Sequence, residues 1–211
     1  MLQVKAFLFD MDGTLVDSTA VIESEWRRFS AQFGLNAEEV IAFAHGRQTI
    51  DTVIHFIGAG EVAQLAADEL DTRELILLDG IVAVPGAAAL LNSLPPERWA
   101  LVTSASRELA SSRMQAAGLP LPTVMVCAED VQHGKPAPDG YIIAAAELGI
   151  GIADCLVLED AAAGIRAGNA SGAKVIAVVP EASAASEAFA AVRLTDMIVE
   201  REREGFNVSG F

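Results

Sequence analysis

The sequence has few aromatic residues, few cysteines and few cations. Only 6% of its 211 residues are aromatic, two are cysteine, and 14 Lys and Arg stand against 29 Asp and Glu. The resulting formal charge of −15 repels nucleic-acid phosphates and anionic lipid surfaces. The composition therefore predicts no nucleic-acid partner and no membrane partner.

The sequence also lacks a long apolar run. Its longest uncharged stretch, 80–96, contains Pro85, Pro95 and Pro96, which suit turns and not a spanning helix of about 20 residues. The N-terminus has no basic segment followed by an export-length apolar stretch, because Asp10 interrupts the first apolar run. We therefore expect a cytoplasmic protein.

The two cysteines, Cys127 and Cys155, each lie beside an apolar, strand-like run. In such surroundings a free thiol behaves as a small buried hydrophobic group. In a reducing compartment we expect both thiols to be reduced and chemically inert.

Short apolar runs, each bounded by Gly, Pro or Asp, recur along the chain. Such runs are typical of parallel strands covered on both faces, and helix-length segments separate the later ones. This alternation predicts an α/β protein with a Rossmann-like three-layer core, whose parallel strands would bring their carboxyl ends to one ligand-binding edge. The predicted strands are Val4–Phe9, Trp99–Thr103, Val124–Cys127, Cys155–Leu158 and Lys174–Val179, and the predicted core helices are Ser106–Ala117, Pro138–Leu148 and Ala161–Ser171.

Residues 17–84 interrupt this alternation, because helical spacing replaces any convincing strand signal. A first helix ending at Gly34 carries apolar residues on one face, namely Ile22, Trp26, Phe29 and Phe33. Further helices are predicted over Ala37–Phe43, Thr49–Ile57 and Glu61–Leu78. The chain thus divides into a Rossmann-like core, residues 1–16 and 85–211, and an inserted α-helical domain, residues 17–84. From Glu200 onward, charged and glycine-rich residues predict a fraying tail or a short final hairpin.

The strongest local signal is a strand that ends in two carboxylates, Asp10 and Asp12, followed by Gly13. An EF-hand calcium loop needs its glycine at the sixth position, whereas Gly13 stands fourth, so that interpretation fails. A solvated polar strand end is the remaining structural alternative.

Four separated motifs together resemble those of the haloacid dehalogenase superfamily of phosphohydrolases. They are Asp10-Met11-Asp12-Gly13-Thr14, Leu101-Val102-Thr103-Ser104, His133-Gly134-Lys135-Pro136 and Leu158-Glu159-Asp160-Ala161. The resemblance runs through most of the chain, and the insert is similar to the helical cap of the sugar-phosphate phosphatase and phosphomutase branch. It implies a Mg²⁺-dependent phosphatase that hydrolyses small phosphorylated sugars or polyols through an aspartyl-phosphate.

The resemblance implies a role for each matched residue. Asp10 would be the nucleophile, while Asp12 would protonate the leaving oxygen and later take a proton from the hydrolytic water. Two carboxylates so close together would raise one pKa, which would help to keep Asp12 available as an acid. Lys135 would pair with Asp10 and with the transferring phosphoryl group. Thr103 and Ser104 would bind phosphate oxygens through a hydroxyl and backbone amides.

Acidic residues so close to an anionic substrate require a cation. Mg²⁺ suits oxygen ligands and bridges to phosphate, and the implied ligands are Asp10, the backbone carbonyl of Asp12, and Asp160. Glu159 would be either a direct ligand or a partner of one. Taken alone, Glu159 and Asp160 would be a solvated helix N-terminus. Because the whole chain is negative, attraction of an anionic metabolite must be local.

The segment 44–50 is the most informative part of the insert. It resembles the cap loop of phosphatases for glycerol phosphate, 2-deoxyglucose phosphate and related sugar or polyol phosphates. Gly46 permits close approach of the backbone, and Arg47 offers donors to a phosphate or to hydroxyl groups. His45 is a weaker candidate for the same surface. The structural alternative is a turn between helices with an exposed Arg47.

Two further functions stay open beside the phosphatase. One is a β-phosphoglucomutase-like sugar phosphomutase, whose pattern has a cap histidine twelve residues after the nucleophile. That position is Ile22 here, which favours water as the final acceptor. The other is a phosphometabolite-binding regulatory protein. Dehalogenase activity is disfavoured because it needs neither Asp12 nor a metal. The sequence does not distinguish a monomer from a dimer.

Overall fold

The computed structural model describes residues 1–178 and 191–211. Its strands are β1 (Leu2–Val4), β2 (Ala6–Phe9), β3 (Val16–Asp17), β4 (Val82–Ala83), β5 (Trp99–Val102), β6 (Val124–Val126), β7 (Cys155–Glu159), β8 (Lys174–Val178), β9 (Ala191–Val192), β10 (Ile198–Glu202) and β11 (Gly205–Ser209). Its α-helices are α1 (Thr19–Phe33), α2 (Ala37–Ala44), α3 (Thr49–Ile57), α4 (Glu61–Ile76), α5 (Ala87–Ser93), α6 (Arg107–Ala116), α7 (Asp139–Glu147) and α8 (Ala162–Ser171).

The central sheet has six parallel strands in the order β6-β5-β2-β7-β8-β9. Residues of β2 alternate between its two faces, as a pleated strand requires. Phe7 and Phe9 enter the core that includes residues of α5 and α6, whereas Ala6 and Leu8 enter the core that includes residues of α7 and α8. Helices therefore cover the sheet on both faces, and the predicted α/β three-layer architecture is confirmed.

All five predicted sheet segments contain strand, with differences at their ends. The segment predicted as one strand over Val4–Phe9 is two strands, because the chain bends at Lys5 and Val4 pairs with Phe206 of β11. Val179, the predicted end of the last strand, lies outside the described residues. Helix α5 and the short strand β9 were missed, since neither has a strong periodic signal of its own.

The C-terminal residues form a hairpin, as one of the two sequence alternatives predicted. Strands β10 and β11 pair antiparallel, and β11 also pairs with β1 to make a separate three-stranded sheet. The tail is thus tied to the start of the chain. Cys127 and Cys155 are both free and buried, as expected.

Four helices, α1 to α4, occupy the predicted insert and share an apolar core of their own. Trp26 and Phe29 of α1 pack there with residues of α2, α3 and α4. Gly34 ends α1 in the left-handed conformation at φ 66°, where its lack of a side chain avoids strain. The sequence did not indicate that β3 and β4 pair antiparallel where the chain enters and leaves this helical region. The exact limits of the predicted domains stay a prediction.

Among the helices in residues 1–178 and 191–211, none combines the length and hydrophobicity needed to cross a membrane.

Candidate active site

The carboxyl ends of β2, β5 and β7 lie side by side and bring three sequence motifs together. Phe9 is in register with Leu101 on one side and with Leu158 on the other. The residues that follow these strands therefore emerge at one edge of the sheet. The backbone N–H of Asp10 donates to the carbonyl of Leu158 at 3.0 Å, which fixes the first carboxylate beside the end of β7.

Lys135 lies beneath this edge with only 6% of its surface exposed. Its Nζ donates to Oδ1 of Asp10 at 2.5 Å, to Oε1 of Glu159 at 2.7 Å and to the carbonyl of Val102 at 3.1 Å. One ammonium group thus uses all three of its protons on strand-end acceptors. This arrangement joins all four motifs through one cation, because Val102 belongs to the second motif.

Glu159 is completely buried and both of its carboxylate oxygens accept hydrogen bonds from the protein. Oε1 accepts from Lys135 and, at 3.3 Å, from the hydroxyl of Tyr141. Oε2 accepts from the backbone N–H of Ala161 at 2.8 Å. A Cβ on Gly164 would overlap this carboxylate, so the glycine in α8 is what allows it to sit there. The contacts of Glu159 are those of a residue that holds Lys135 in place.

The acidic cluster at this edge carries more negative charge than its own lysine neutralises. One carboxylate oxygen each from Asp10, Glu159 and Asp160 lies within 4.8 Å of the others. Burial and the charge of Glu159 raise the pKa of Asp10 well above its ordinary value, although Lys135 opposes the shift. The same two causes raise the pKa of Asp160 to about 7. Closely spaced oxygen ligands in such a setting fit a hard divalent cation.

Asp12 has hydrogen-bond partners that the sequence did not indicate. The motif predicted only that the carboxylate of Asp10 would lie close to it. Both side-chain oxygens of Asp12 accept from Nη1 of Arg113 at 3.0 Å, and Oδ1 also accepts from Ser18 at 2.6 Å. Because Arg113 is 101 residues away, spacing near the motif could not reveal it. The available signal was an arginine on the otherwise apolar face of α6, beside Leu109 and Met114.

The loop between α2 and α3 reaches the core through backbone and amide contacts. The hydroxyl of Ser104 donates to the carbonyl of Gly46 at 2.9 Å, and Nε2 of Gln48 donates to the carbonyl of Ala128 at 3.2 Å. Gly46 has φ 74°, and a Cβ there would lie 2.8 Å from that of Ala161. The loop therefore approaches the core as closely as the glycine predicted. The Ser104 hydroxyl, predicted to bind phosphate, contacts the loop in this arrangement.

A cavity opens between the strand ends and the helical region. Arg47 lies at the rim of this cavity, with its guanidinium 4.3 Å from the centre of the Phe43 ring. His45, in the same loop, is exposed. Lys135 and Glu159 lie behind the wall and do not line it. The structure brings the other predicted residues together around it, namely Asp10, Asp12, Thr103, Ser104 and Asp160 from the core and His45, Gly46 and Arg47 from the insert.

The fold and this site define a Rossmann-like α/β core with a helical insert beside its strand ends. Residues 4–172 match the family described as haloacid dehalogenase-like hydrolase, and the chain belongs to that family. It is 46% identical over 181 residues to hexitol phosphatase A of Escherichia coli, with 84% of each chain covered. It is 36% identical over 190 residues to glycerol-1-phosphate phosphohydrolase 2 of Saccharomyces cerevisiae, which covers 84% of this chain and 75% of the relative.

A solved structure supports the same placement. The crystal structure of a hydrolase from Pseudomonas syringae matches with a TM-score of 0.73 and 27% sequence identity, covering 82% of this chain and 83% of the other. The resemblance to the haloacid dehalogenase superfamily that the four motifs indicated is therefore confirmed.

Proposed function

We propose that this chain is a Mg²⁺-dependent phosphatase that hydrolyses small phosphorylated sugars or polyols through an aspartyl-phosphate. The observation that carries the proposal is the buried ammonium of Lys135 between Asp10 and Glu159, at the edge where Asp160 also lies. Phosphoryl transfer depends mainly on positioning and on neutralising the charge of the phosphoryl oxygens. The cluster supplies a fixed nucleophile and a fixed cation at the same point.

In the first step, Oδ of Asp10 attacks phosphorus and the bond from phosphorus to the leaving oxygen breaks. The leaving oxygen keeps the electron pair of that bond and takes a proton from Asp12, so a neutral alcohol departs. Lys135 compensates the negative charge on Asp10 and on the transferring group. Thr103 and the backbone amides after β5 hold phosphate oxygens.

In the second step, water attacks phosphorus of the aspartyl-phosphate. Asp12, now ionised, accepts a proton from that water as the bond between phosphorus and Asp10 breaks. Inorganic phosphate leaves, and Asp10 and Asp12 return to their starting protonation states. Asp12 donates a proton in the first step and accepts one in the second. Its carboxylate must therefore reach both the leaving oxygen and the attacking water.

The donor set at the strand ends fits Mg²⁺. Asp10, the backbone carbonyl of Asp12, and Asp160 would hold the ion, and Glu159 would act through Lys135 because protein donors already occupy its oxygens. When bound, Mg²⁺ would offset the repulsion between the acidic residues and the phosphate. The pKa values of Asp10 and Asp160 are raised first by burial and then by the charge of Glu159, and a bound cation would offset both effects.

The helical region would select the leaving group. Arg47 and His45 face the cavity from the loop after α2, and Gly46 lets that loop close against the core. The names of the relatives refer to a hexitol phosphate and to glycerol 1-phosphate, which are small and rich in hydroxyl groups. We infer a substrate of that class, a small phosphorylated metabolite. Its location in the cytoplasm stays a prediction from the sequence.

Phosphate release from a metabolite panel, with and without Mg²⁺, tests this function. The panel contains hexitol phosphates, glycerol 1-phosphate and hexose phosphates, including 2-deoxyglucose 6-phosphate. We expect Mg²⁺-dependent release from at least one member. Isomer formation without release would instead indicate a phosphomutase, which the apolar Ile22 in the cavity wall disfavours. Binding of panel members with neither outcome would indicate a regulatory protein.

A further inference from the structure

We propose that Arg113 is a positioning residue that couples the helical region to the acid and base Asp12. The inference rests on the proposed function, because it concerns the residue that moves protons in that reaction. Arg113 belongs to α6 of the core, and only 1% of its surface is exposed. It does not belong to any of the four motifs, and its place in the reaction follows from its contacts alone.

The guanidinium of Arg113 is shared between two carboxylates. Nη1 donates to both oxygens of Asp12 at 3.0 Å, and Nη2 donates to Oε2 of Glu74 at 2.7 Å. Glu74 lies near the end of α4 and is only 6% exposed. The planar guanidinium has a rigid set of donors, so the direction of one contact constrains the other. The position of α4 therefore affects the orientation of the Asp12 carboxylate.

A second contact joins Asp12 to the other end of the helical region. Ser18 lies immediately before α1, at the position where a serine commonly caps a helix with its hydroxyl. Here the hydroxyl does not cap α1 but donates to Oδ1 of Asp12 at 2.6 Å. Ser18 marks where the chain enters the helical region, and Glu74 lies shortly before it returns. Asp12 is thus held, directly or through Arg113, by both ends of that region.

This arrangement has a consequence for proton transfer. A general acid works only when it lies within hydrogen-bond reach of the leaving oxygen and points at it. With α4 packed on α6, Arg113 and Ser18 restrict the carboxylate of Asp12 to one orientation above the strand ends. If α4 moved away, Nη2 would lose Glu74 and Arg113 would be free to turn. We infer that proton transfer to the leaving group is efficient only when the helical region is seated.

The test compares two leaving groups in the same variants. 4-Nitrophenolate leaves readily as an anion and needs little protonation, whereas the alkoxide of a sugar or polyol must be protonated as it departs. The value of kcat/KM reports steps up to formation of the aspartyl-phosphate, so it isolates the acid role of Asp12. Wild type, Arg113→Met, Arg113→Lys, Glu74→Leu and the double variant Arg113→Met/Glu74→Leu are assayed with 4-nitrophenyl phosphate and with the best substrate of the metabolite panel.

We expect Arg113→Met to lower kcat/KM for the alkyl phosphate about a hundredfold, and for 4-nitrophenyl phosphate by less than about fivefold. The alkyl loss would fall on kcat, because a lost substrate contact would raise KM instead. Glu74→Leu would lower kcat/KM by a smaller factor, and again more for the alkyl phosphate than for 4-nitrophenyl phosphate. The double variant would be no worse than Arg113→Met, because Glu74 acts through Arg113. Arg113→Lys would restore part of the alkyl activity by returning the charge without the paired donors.

Arg107→Lys, at the exposed start of the same helix, is the matched control and should leave kcat/KM unchanged for both substrates. Equal losses for both leaving groups would overturn the inference and give Arg113 a purely structural role, since misfolding affects every substrate alike. Unchanged rates would overturn it too. A wild-type protein that releases phosphate from neither substrate with Mg²⁺ would overturn the proposed function instead, and the inference with it.

Discussion

The two sides of the cavity are built in different ways. On the core side, short strands end at one level and place charged groups whose contacts are buried, as in the pairing of Lys135 with Asp10 and Glu159. On the side of the helical region, the residues at the rim are carried by a turn, and Arg47 rests on the ring of Phe43. The core side is buried and charged, whereas the other side is partly exposed and carries both polar and aromatic side chains.

This difference separates the chemistry from the choice of substrate. Groups that must compensate charge in the transition state work best where water is excluded and their positions do not relax. Groups that select a leaving group tolerate exposure, because they act through hydrogen bonds with a bound molecule. Substitutions of the buried groups that surround the attacking carboxylate should therefore affect every substrate, while those at the rim should affect particular ones.

The largest effect should follow removal of the proposed nucleophile, Asp10. Asp10→Asn keeps the size of the side chain but cannot form the aspartyl-phosphate, so we expect kcat to fall roughly a thousandfold or more for every substrate. The measurement is Mg²⁺-dependent phosphate release across the panel. Asp17→Asn, at an exposed position on β3, is the matched control. Full activity of the Asp10 variant would show that another group attacks phosphorus.

A smaller but still general effect should follow from crowding Glu159. Gly164→Ala improves helix propensity yet places a methyl group on the Glu159 carboxylate, so Glu159 and Lys135 must shift. We expect kcat to fall about a hundredfold for all substrates, because small displacements of a reacting group are costly. Gly151→Ala is the control, since nothing lies near its added Cβ. An active Gly164→Ala enzyme would mean that the placement of Glu159 is not critical.

Removing one acid should change how stability depends on pH. Burial and Glu159 hold the pKa of Asp160 at about 7, above the value of about 3.9 for an unfolded chain. The native state then binds more protons between these values, so this group's stabilisation is present at low pH and lost as pH rises through about 7. In EDTA, Asp160→Asn should therefore gain stability relative to wild type, by about 1 to 3 kcal/mol, between about pH 5 and about pH 8.

Urea unfolding at several pH values measures this gain. Mg²⁺ should stabilise wild type most at the higher pH and should stabilise Asp160→Asn much less, because one oxygen ligand is lost. Asp154→Asn provides a matched control at a half-exposed aspartate whose ion pair with Lys5 lies at the surface. If the free energy of unfolding of Asp160→Asn differed from that of wild type by the same amount at every pH in this range, the raised pKa of Asp160 would be contradicted.

The smallest and most selective effect should come from the rim. Arg47→Ala removes donors from the cavity without touching the strand ends, so we expect KM for the best panel substrate to rise about three- to tenfold. The value of kcat should change by less than about twofold. Arg27→Ala, on the exposed face of α1, is the control. A fall in kcat with unchanged KM would place Arg47 with the reacting groups and would erase the contrast between the two sides.

Much of the core could be predicted because its signals are local. The runs around Phe9, Leu101 and Leu158 are apolar throughout, which is typical of strands covered on both faces, and parallel strands necessarily share an edge. The carboxylates that follow such runs therefore had to lie close together. Helix α1 was equally clear from its apolar spacing and from Gly34. Weakly patterned elements, such as α5 and the pairing of β3 with β4, left no comparable signal.

Periodicity and the geometry of parallel strands were enough to predict the fold class and the group of acids at the strand ends. The contacts that hold Asp12 could be seen only in the folded chain. The two partners of Asp12 are Ser18, which immediately precedes α1, and Arg113 of α6. Arg113 in turn contacts Glu74 of α4. The contact between Arg113 and Glu74 depends on how α4 packs against α6, and packing between distant segments leaves no spacing in a single sequence.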